Sequence, residues 1–138
     1  MKNKLLLFTI IIMLATVIIG CSNGGKVPDL WNDAVYDTDV SLGKGEKKLI
    51  LTVKTPEKSI TITVNTDKET VGDALFEQKI IDGDKGPYGL YVKKVNGITA
   101  DFDVDGHYWS FTINGEMAPT GADSTPIKDG EVYGFEYV

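Results

Sequence analysis

The stretch Leu49-Ile50-Leu51-Thr52-Val53, then Thr55-Pro56-Glu57-Lys58, then Ser59-Ile60-Thr61-Ile62-Thr63-Val64 decides the fold. Leu49, Leu51 and Val53 alternate with Ile50 and Thr52, and Ile60, Ile62 and Val64 alternate with Ser59, Thr61 and Thr63. Period-2 alternation of this kind marks strands with one buried face. The Thr-Pro-Glu-Lys segment between them has turn chemistry, so the two runs read as a hairpin.

Downstream of the hairpin the periodicity changes. Thr70 to Gln78 places Val71, Ala74, Leu75 and Gln78 at helical spacing. Thr70 suits the N-cap, and Asp73 sits in the first turn, where a negative charge is favourable. Gly72 weakens this helix by about 1 kcal/mol relative to Ala. Asp82-Gly83-Asp84-Lys85-Gly86-Pro87 reads as a loop. Three further strands are expected. Tyr88 to Val95 closes at Asn96-Gly97. Tyr108 to Ile113 carries Trp109, Phe111 and Ile113 on one face and closes at Asn114-Gly115. Val132 to Val138 is entered through Asp129-Gly130, with Tyr133, Phe135 and Tyr137 on one face. The order is β-β-α-β-β-β, which predicts an α+β chain folded as a β-grasp, or ubiquitin-like, roll with one helix covering one sheet face.

Upstream, Lys2 and Lys4 precede an apolar run from Leu5 to Gly20. Sixteen residues is short for a bilayer, which needs about 20. The segment reads as a signal peptide. It ends Ile18-Ile19-Gly20-Cys21, which resembles a bacterial lipobox. That resemblance implies diacylation of the Cys21 thiol, cleavage before it, and a protein held on the extracytoplasmic side of the cell membrane. Residues 1–20 are then the lipoprotein signal peptide. Residues 21–45 are the lipidated cysteine, a flexible Ser22 to Pro28 tether and an acidic arm able to dock through Trp31. Residues 46–138 are the folded domain.

Composition narrows the function. The 138 residues contain 14 basic side chains, 20 acidic ones and one His. Every basic residue is Lys, and without residues 1–20 the balance is 12 lysines against 20 acids, a net charge of −8. This argues against nucleic acid as a partner, since phosphates demand a cationic surface. One Cys excludes an intrachain disulfide and a Cys-cluster metal site. One His leaves little material for acid–base chemistry, so no enzyme and no cofactor is expected.

Asp101-Phe102-Asp103-Val104-Asp105-Gly106 begins like a calcium loop, with Asp101, Asp103 and Asp105 as a weak cation candidate. The bidentate twelfth-position acid is missing, because Thr112 stands there. The competing expectation is a solvated acidic turn whose Phe102 and Val104 alternate inward. His107 with Ser110 and nearby acids makes no recognisable triad, since no nucleophile elbow accompanies them. The aromatic surplus of the last three strands is more informative. Alternation cannot send all of these rings inward, so Tyr91 and Tyr108, opposite their neighbours, are candidates for the open side or rim of the sheet.

Gly86-Pro87-Tyr88-Gly89, Val95-Asn96-Gly97, Asp105-Gly106-His107-Tyr108-Trp109-Ser110-Phe111 with Asn114-Gly115, Gly121-Ala122-Asp123 and Ile127-Lys128-Asp129-Gly130-Glu131 together resemble a bacterial lipoprotein domain of uncharacterised function. That family is similar to the C-terminal β-domain of transcobalamin and intrinsic factor, and the resemblance spans roughly residues 46–138. It implies a ligand-binding module with a β-grasp-type fold, with cobalamin or another corrinoid as the leading ligand. It also implies that Trp109 lies on the corrinoid side, in competition with the reading of Trp109 as core. Trp109, Tyr108, Tyr91 and Tyr88 are the resulting ligand-binding candidates. The helical domain that completes the site in transcobalamins is missing here, which implies partial coverage of a ligand and a partner such as a surface or transporter protein. The alternative function is a surface protein or cell-wall interaction module, without a small-molecule ligand, that uses a sheet edge or the acidic arm.

Overall fold

A computed structural model describes residues 29–138, and the segments expected as signal peptide and tether, with Cys21, lie outside the described residues. The strands are β1 (Val40–Gly43), β2 (Lys47–Lys54), β3 (Ser59–Thr66), β4 (Ile81–Gly86), β5 (Gly89–Val95), β6 (Ile98–Thr99), β7 (Trp109–Ile113), β8 (Glu116–Met117) and β9 (Val132–Tyr137). The helices are α1 (Val71–Glu77) and α2 (Phe102–Asp105), with short 3-10 turns at Leu30–Asp33 and Ala122–Ser124. The chain is therefore α+β and mostly strand.

The strands form two open sheets. Six pair in the order β1-β3-β2-β9-β7-β8, and three pair in the order β4-β5-β6. The expected hairpin is present: β2 and β3 are antiparallel, with Leu51 opposite Ile62 and Thr52 opposite Thr61. The last strand, β9, runs parallel to β2 and antiparallel to β7. Leu49, Leu51, Val53, Ile62 and Val64 are fully buried, while their alternates Thr52, Thr61 and Thr63 are only half-buried on the outer face. Val71, Ala74 and Leu75 of α1 join Tyr133 and Phe135 in the same core. Thr70 caps α1 as its spacing implies, its Oγ1 accepting from the Asp73 N–H at 3.2 Å.

Four strands and one helix depart from the expected order. β1 lies in the acidic arm, parallel to β3, and closes that sheet edge. Its four residues are too few to show a period. β4 occupies the segment expected as a loop. It pairs with β5 through a bulge at Asp82/Gly83, and a Cβ on Gly83 would fall 1.9 Å from the Tyr91 carbonyl oxygen. The glycine that suggested a loop thus allows the two backbones to approach. β6 and β8 are two-residue returns after the Asn-Gly turns, where Asn96 and Asn114 take φ of 52° and 51°. These left-handed angles suit tight hairpin turns. Tyr88 sits in the β4–β5 turn rather than opening a strand.

The segment expected as an acidic turn with inward Phe102 and Val104 is α2, and both apolar side chains point outward. Phe102 is 58% exposed and Val104 is 81% exposed. The Asp101 carboxylate caps the helix at the Asp103 N–H, and Gly106 ends it in the left-handed region at φ 75°. Helical rather than extended backbone here removes the alternation that would have buried them.

The described part of the arm packs on the domain. Trp31 is 6% exposed, and its indole N–H donates to Thr55 Oγ1 at 2.8 Å. The buried Asn96 side chain then grips Tyr36 twice: it accepts from the Tyr36 N–H at 3.0 Å and donates to the Tyr36 carbonyl at 2.9 Å.

Candidate functional site

Strand alternation on β5 puts Tyr91 and Lys93 on the same side. Lys93 Nζ lies 5.8 Å from the Tyr91 ring centroid. The same ammonium reaches Asp84 Oδ2 at 2.7 Å and Asp101 Oδ2 at 3.4 Å. Its pKa is raised, chiefly by the hydrogen bond to Asp84, with Asp101 adding. Asp101 caps α2, and the next residue, Phe102, meets Tyr108 edge-on at 6.4 Å. One surface therefore runs from Tyr91 through Lys93 and Asp101 to Phe102 and Tyr108.

Behind this surface the aromatic packing continues inward. His107 stacks on Tyr137 at 4.8 Å, with its Nδ1 3.1 Å from the Val138 carbonyl. Tyr137 meets Trp109 edge-on at 5.4 Å. Burial pushes the Tyr137 phenol up, with Asp105 and Glu57 adding. Trp109 is 6% exposed and donates its indole N–H to the Ile98 carbonyl at 3.1 Å. Its ring supports the surface from within, and its one polar atom already has a partner.

The four proposed ligand residues are thus not equivalent. Tyr91, 45% exposed, and half-buried Tyr108 belong to one surface. Tyr88 is 99% exposed at the β4–β5 turn and makes none of these ring contacts. Trp109 is core. The calcium candidate does not assemble. Asp101 Oδ1 accepts from the Asp103 N–H at 3.2 Å, and Asp105 Oδ1 accepts from the His107 N–H at 2.8 Å. These carboxylates hold their own backbone, and among the described residues no three His, Cys, Asp or Glu side chains gather as a metal site. Sequence reasoning missed Lys93, Asp84 and the outward turn of Phe102 and Val104. Lys93 could have been found, because it shares the two-residue period of Tyr91.

A second feature lies between α1, the β4–β5 hairpin and the Ala122–Ser124 turn. Gly72, Asp73, Phe76, Lys85, Leu90 and Asp123 line a cleft of about 240 Å³. Asp123 Oδ2 accepts from the Leu90 N–H at 3.1 Å, while its Oδ1 is buried without a partner among the described residues. The carboxylate ties the smaller sheet to the turn.

The class these observations define is a small α+β domain with one solvent-facing aromatic and acidic surface. Residues 68–138 match the family described as Domain of unknown function (DUF4430), and the chain belongs to that family. A crystal structure of a protein from Ruminococcus gnavus ATCC 29149, provisionally designated metal binding, is similar at 32% identity and a TM-score of 0.63. That match covers 67% of this chain and 97% of the other. Haptocorrin in complex with Cbi is similar at 18% identity and a TM-score of 0.48, over 67% of this chain and 25% of haptocorrin. No curated protein sequence matches the chain.

Proposed function

We propose that the chain is a ligand-binding protein of the extracytoplasmic membrane face, anchored through a lipidated Cys21, and that it is not an enzyme. Its fold is read as a β-grasp roll extended by the arm and the smaller sheet. The observation that carries the binding reading is α2. A helix in a folded domain normally hides its apolar side chains, whereas α2 buries no residue and turns Phe102 and Val104 to solvent beside Tyr91 and Tyr108. Exposed apolar groups clustered within a polar rim mark interaction sites.

A corrinoid is the first ligand to test, on the strength of the sequence resemblance. A corrin is a flat ring fringed with amides. Its face suits Tyr and Phe rings, and its amides suit carboxylates and an ammonium. The surface is open, so it covers only part of such a ligand, whereas good small-molecule sites bury about 70–90% of theirs. Affinity is therefore weak unless a second protein closes the site. Protein-held metal is the poorer reading here, because Asp101 and Asp105 already hold backbone N–H groups.

The test is calorimetric titration of cyanocobalamin into a soluble chain begun at Ser22, which leaves off the apolar segment and the anchor. Heat is expected at micromolar concentrations, and Phe102→Ala and Tyr91→Ala should each abolish most of it with the circular dichroism unchanged. No heat at high micromolar ligand overturns the corrinoid reading. The anchor is tested separately: radioactive palmitate should label the full chain and not Cys21→Ser.

A further inference from the structure

The position of α2 relative to the point where the chain enters the domain has a consequence for its partner. The described chain begins at Asp29, and Trp31 is seated at Thr55, in the turn between β2 and β3. That turn lies at the same end of the six-stranded sheet as α2. Lys54 at the end of β2 is in register with Glu136 of β9, and Tyr137 is in register with Trp109, the first residue of β7. Tyr108 exchanges backbone hydrogen bonds with Val138, and His107 stacks on Tyr137. The Tyr137 phenol feels Asp105 from α2 and Glu57 from the β2–β3 turn together. The opposite end carries Lys47, opposite Thr66, with Asp67 and Lys68 just beyond; Glu116 lies part-way along, in the row of Ile113, Tyr133 and Leu51. The eight residues of β2 separate the two ends by about 25 Å.

The chain between Cys21 and the domain is short. Ser22 to Pro28 is seven residues, which reach at most about 25 Å when fully extended. A domain of this size has a radius of gyration of about 13 Å and so a diameter of more than 30 Å. A tether shorter than the domain keeps its point of entry near the bilayer.

We infer, resting on the lipid-anchor reading, that the α2 end faces the bilayer and that the Phe102–Val104 ridge docks a membrane-embedded protein whose outer surface carries lysines or arginines among apolar side chains. Charge selects this occupant. Asp101, Asp103 and Asp105 surround the ridge, and Asp29, Asp37 and Glu57 line a shallow basin beside Trp31 at the same end. Lys54, Lys58 and Lys93 are the cations at this end, paired with Glu136, Asp37 and Asp84. An acidic end is repelled by an anionic leaflet, so lipid is the poorer occupant. A basic protein surface gains both the charge match and the burial of two apolar side chains.

The test uses the full lipidated chain. Because its one cysteine is the anchor, Val104→Cys and Lys68→Cys each introduce a single labelling site, the second at the far end beside Lys47. In vesicles of zwitterionic phosphatidylcholine with a headgroup acceptor, energy transfer from a dye at residue 104 should exceed that from residue 68. Equal or reversed transfer overturns the orientation. In cells, a photoreactive benzophenone side chain in place of Val104 should form an adduct with an integral membrane protein that resists carbonate extraction. Asp103→Lys should weaken that adduct about ten-fold, while Glu116→Lys should leave it unchanged. Adducts with lipid alone, no adduct, or an adduct indifferent to Asp103→Lys overturn the partner. Absent palmitate labelling removes the anchor reading and this inference with it. Failure of either crosslinking or transfer in labelled chain removes the inference alone, and corrinoid titration of the soluble chain is independent of both.

Discussion

Replacing Gly72 by Ala reverses sign between sequence and structure. On helix preference alone, Gly72→Ala in α1 stabilises by about 1 kcal/mol. The fold opposes this. A Cβ at residue 72 would stand 2.6 Å from both the Asp123 Cα and the Asp123 backbone nitrogen, and 2.9 Å from the Ala122 carbonyl carbon. Ordinary carbon contacts fall at about 3.5–4.0 Å, so the methyl intrudes by roughly 1 Å. The obstructing atoms are backbone and cannot rotate aside. Overpacking of this kind costs about 1–3 kcal/mol, with rigid neighbours at the upper end. Subtracting the helix gain leaves a net loss of about 2 kcal/mol, or roughly 10 °C in Tm for a domain of about this length. The displaced turn carries Asp123, which accepts from Leu90, so the β5 amide of Leu90 should also exchange faster. Thermal melts by circular dichroism, with hydrogen exchange at Leu90, are the assay. A Gly72→Ala chain that melts at or above the parent temperature refutes the argument.

Three further outcomes follow from the arm and the buried phenols. Asn96→Ala removes both bonds to the Tyr36 backbone, and a loss of about 1–3 kcal/mol in urea unfolding is expected; a change under about 0.5 kcal/mol would mean that water replaces them freely. Trp31→Ala should release the arm locally, speeding exchange of the Tyr36 and Thr61 amides at least about ten-fold while Leu51 stays protected; unaltered exchange at Tyr36 contradicts this. Burial raises the Tyr137 pKa above its ordinary value of 10.0, so the folded state favours the neutral phenol. Its contribution is complete below pH 10 and falls as pH rises through 10 towards the folded value. Tyr137→Phe should therefore lose less stability than the parent between pH 8 and pH 11, and equal losses would show that this phenol is not a contributor.

Much of the larger sheet was legible because its strands obey a two-residue period and end at residues that force turns. Leu49 to Val64 declared both the hairpin and its buried face, and Asn96-Gly97 and Asn114-Gly115 marked the next two reversals. The smaller sheet was hidden. Asp82-Gly83-Asp84-Lys85-Gly86 contains no β-branched residue, and its pairing depends on the close backbone approach that Gly83 allows to Tyr91. β1 was hidden because four residues carry no period, and it is held by its parallel ladder with β3, distant in sequence. Of the candidate surface, Tyr91 and Tyr108 followed from alternation. Lys93 shares that alternation but was passed over, Asp84 was hidden with β4, and the placing of Phe102 depends on the path of α2. Asp101, Asp103 and Asp105 looked like ligands for a cation, since the same spacing that wraps calcium also caps a short helix.

The energetics of α2 explain how it can expose apolar side chains and still persist. Its stability comes from its ends: the Asp101 cap, the left-handed Gly106, the Asp105 bond to the His107 N–H and the Lys93 ion pair. None of these requires Phe102 or Val104 to be buried, so both are available to something outside the domain. Burying them on a partner contributes about 1.5–3 kcal/mol each. That total barely reaches the lower bound of the 4–15 kcal/mol lost when two free bodies associate. A free domain would therefore bind weakly through this ridge. On the proposed lipid anchor, a domain confined near the membrane would already have given up much of that freedom, since a short tether sets an effective concentration of about millimolar. The modest apolar ridge and the proposed membrane anchor would thus be complementary. Each is insufficient alone, and together they bring a weak contact into the range where it can operate.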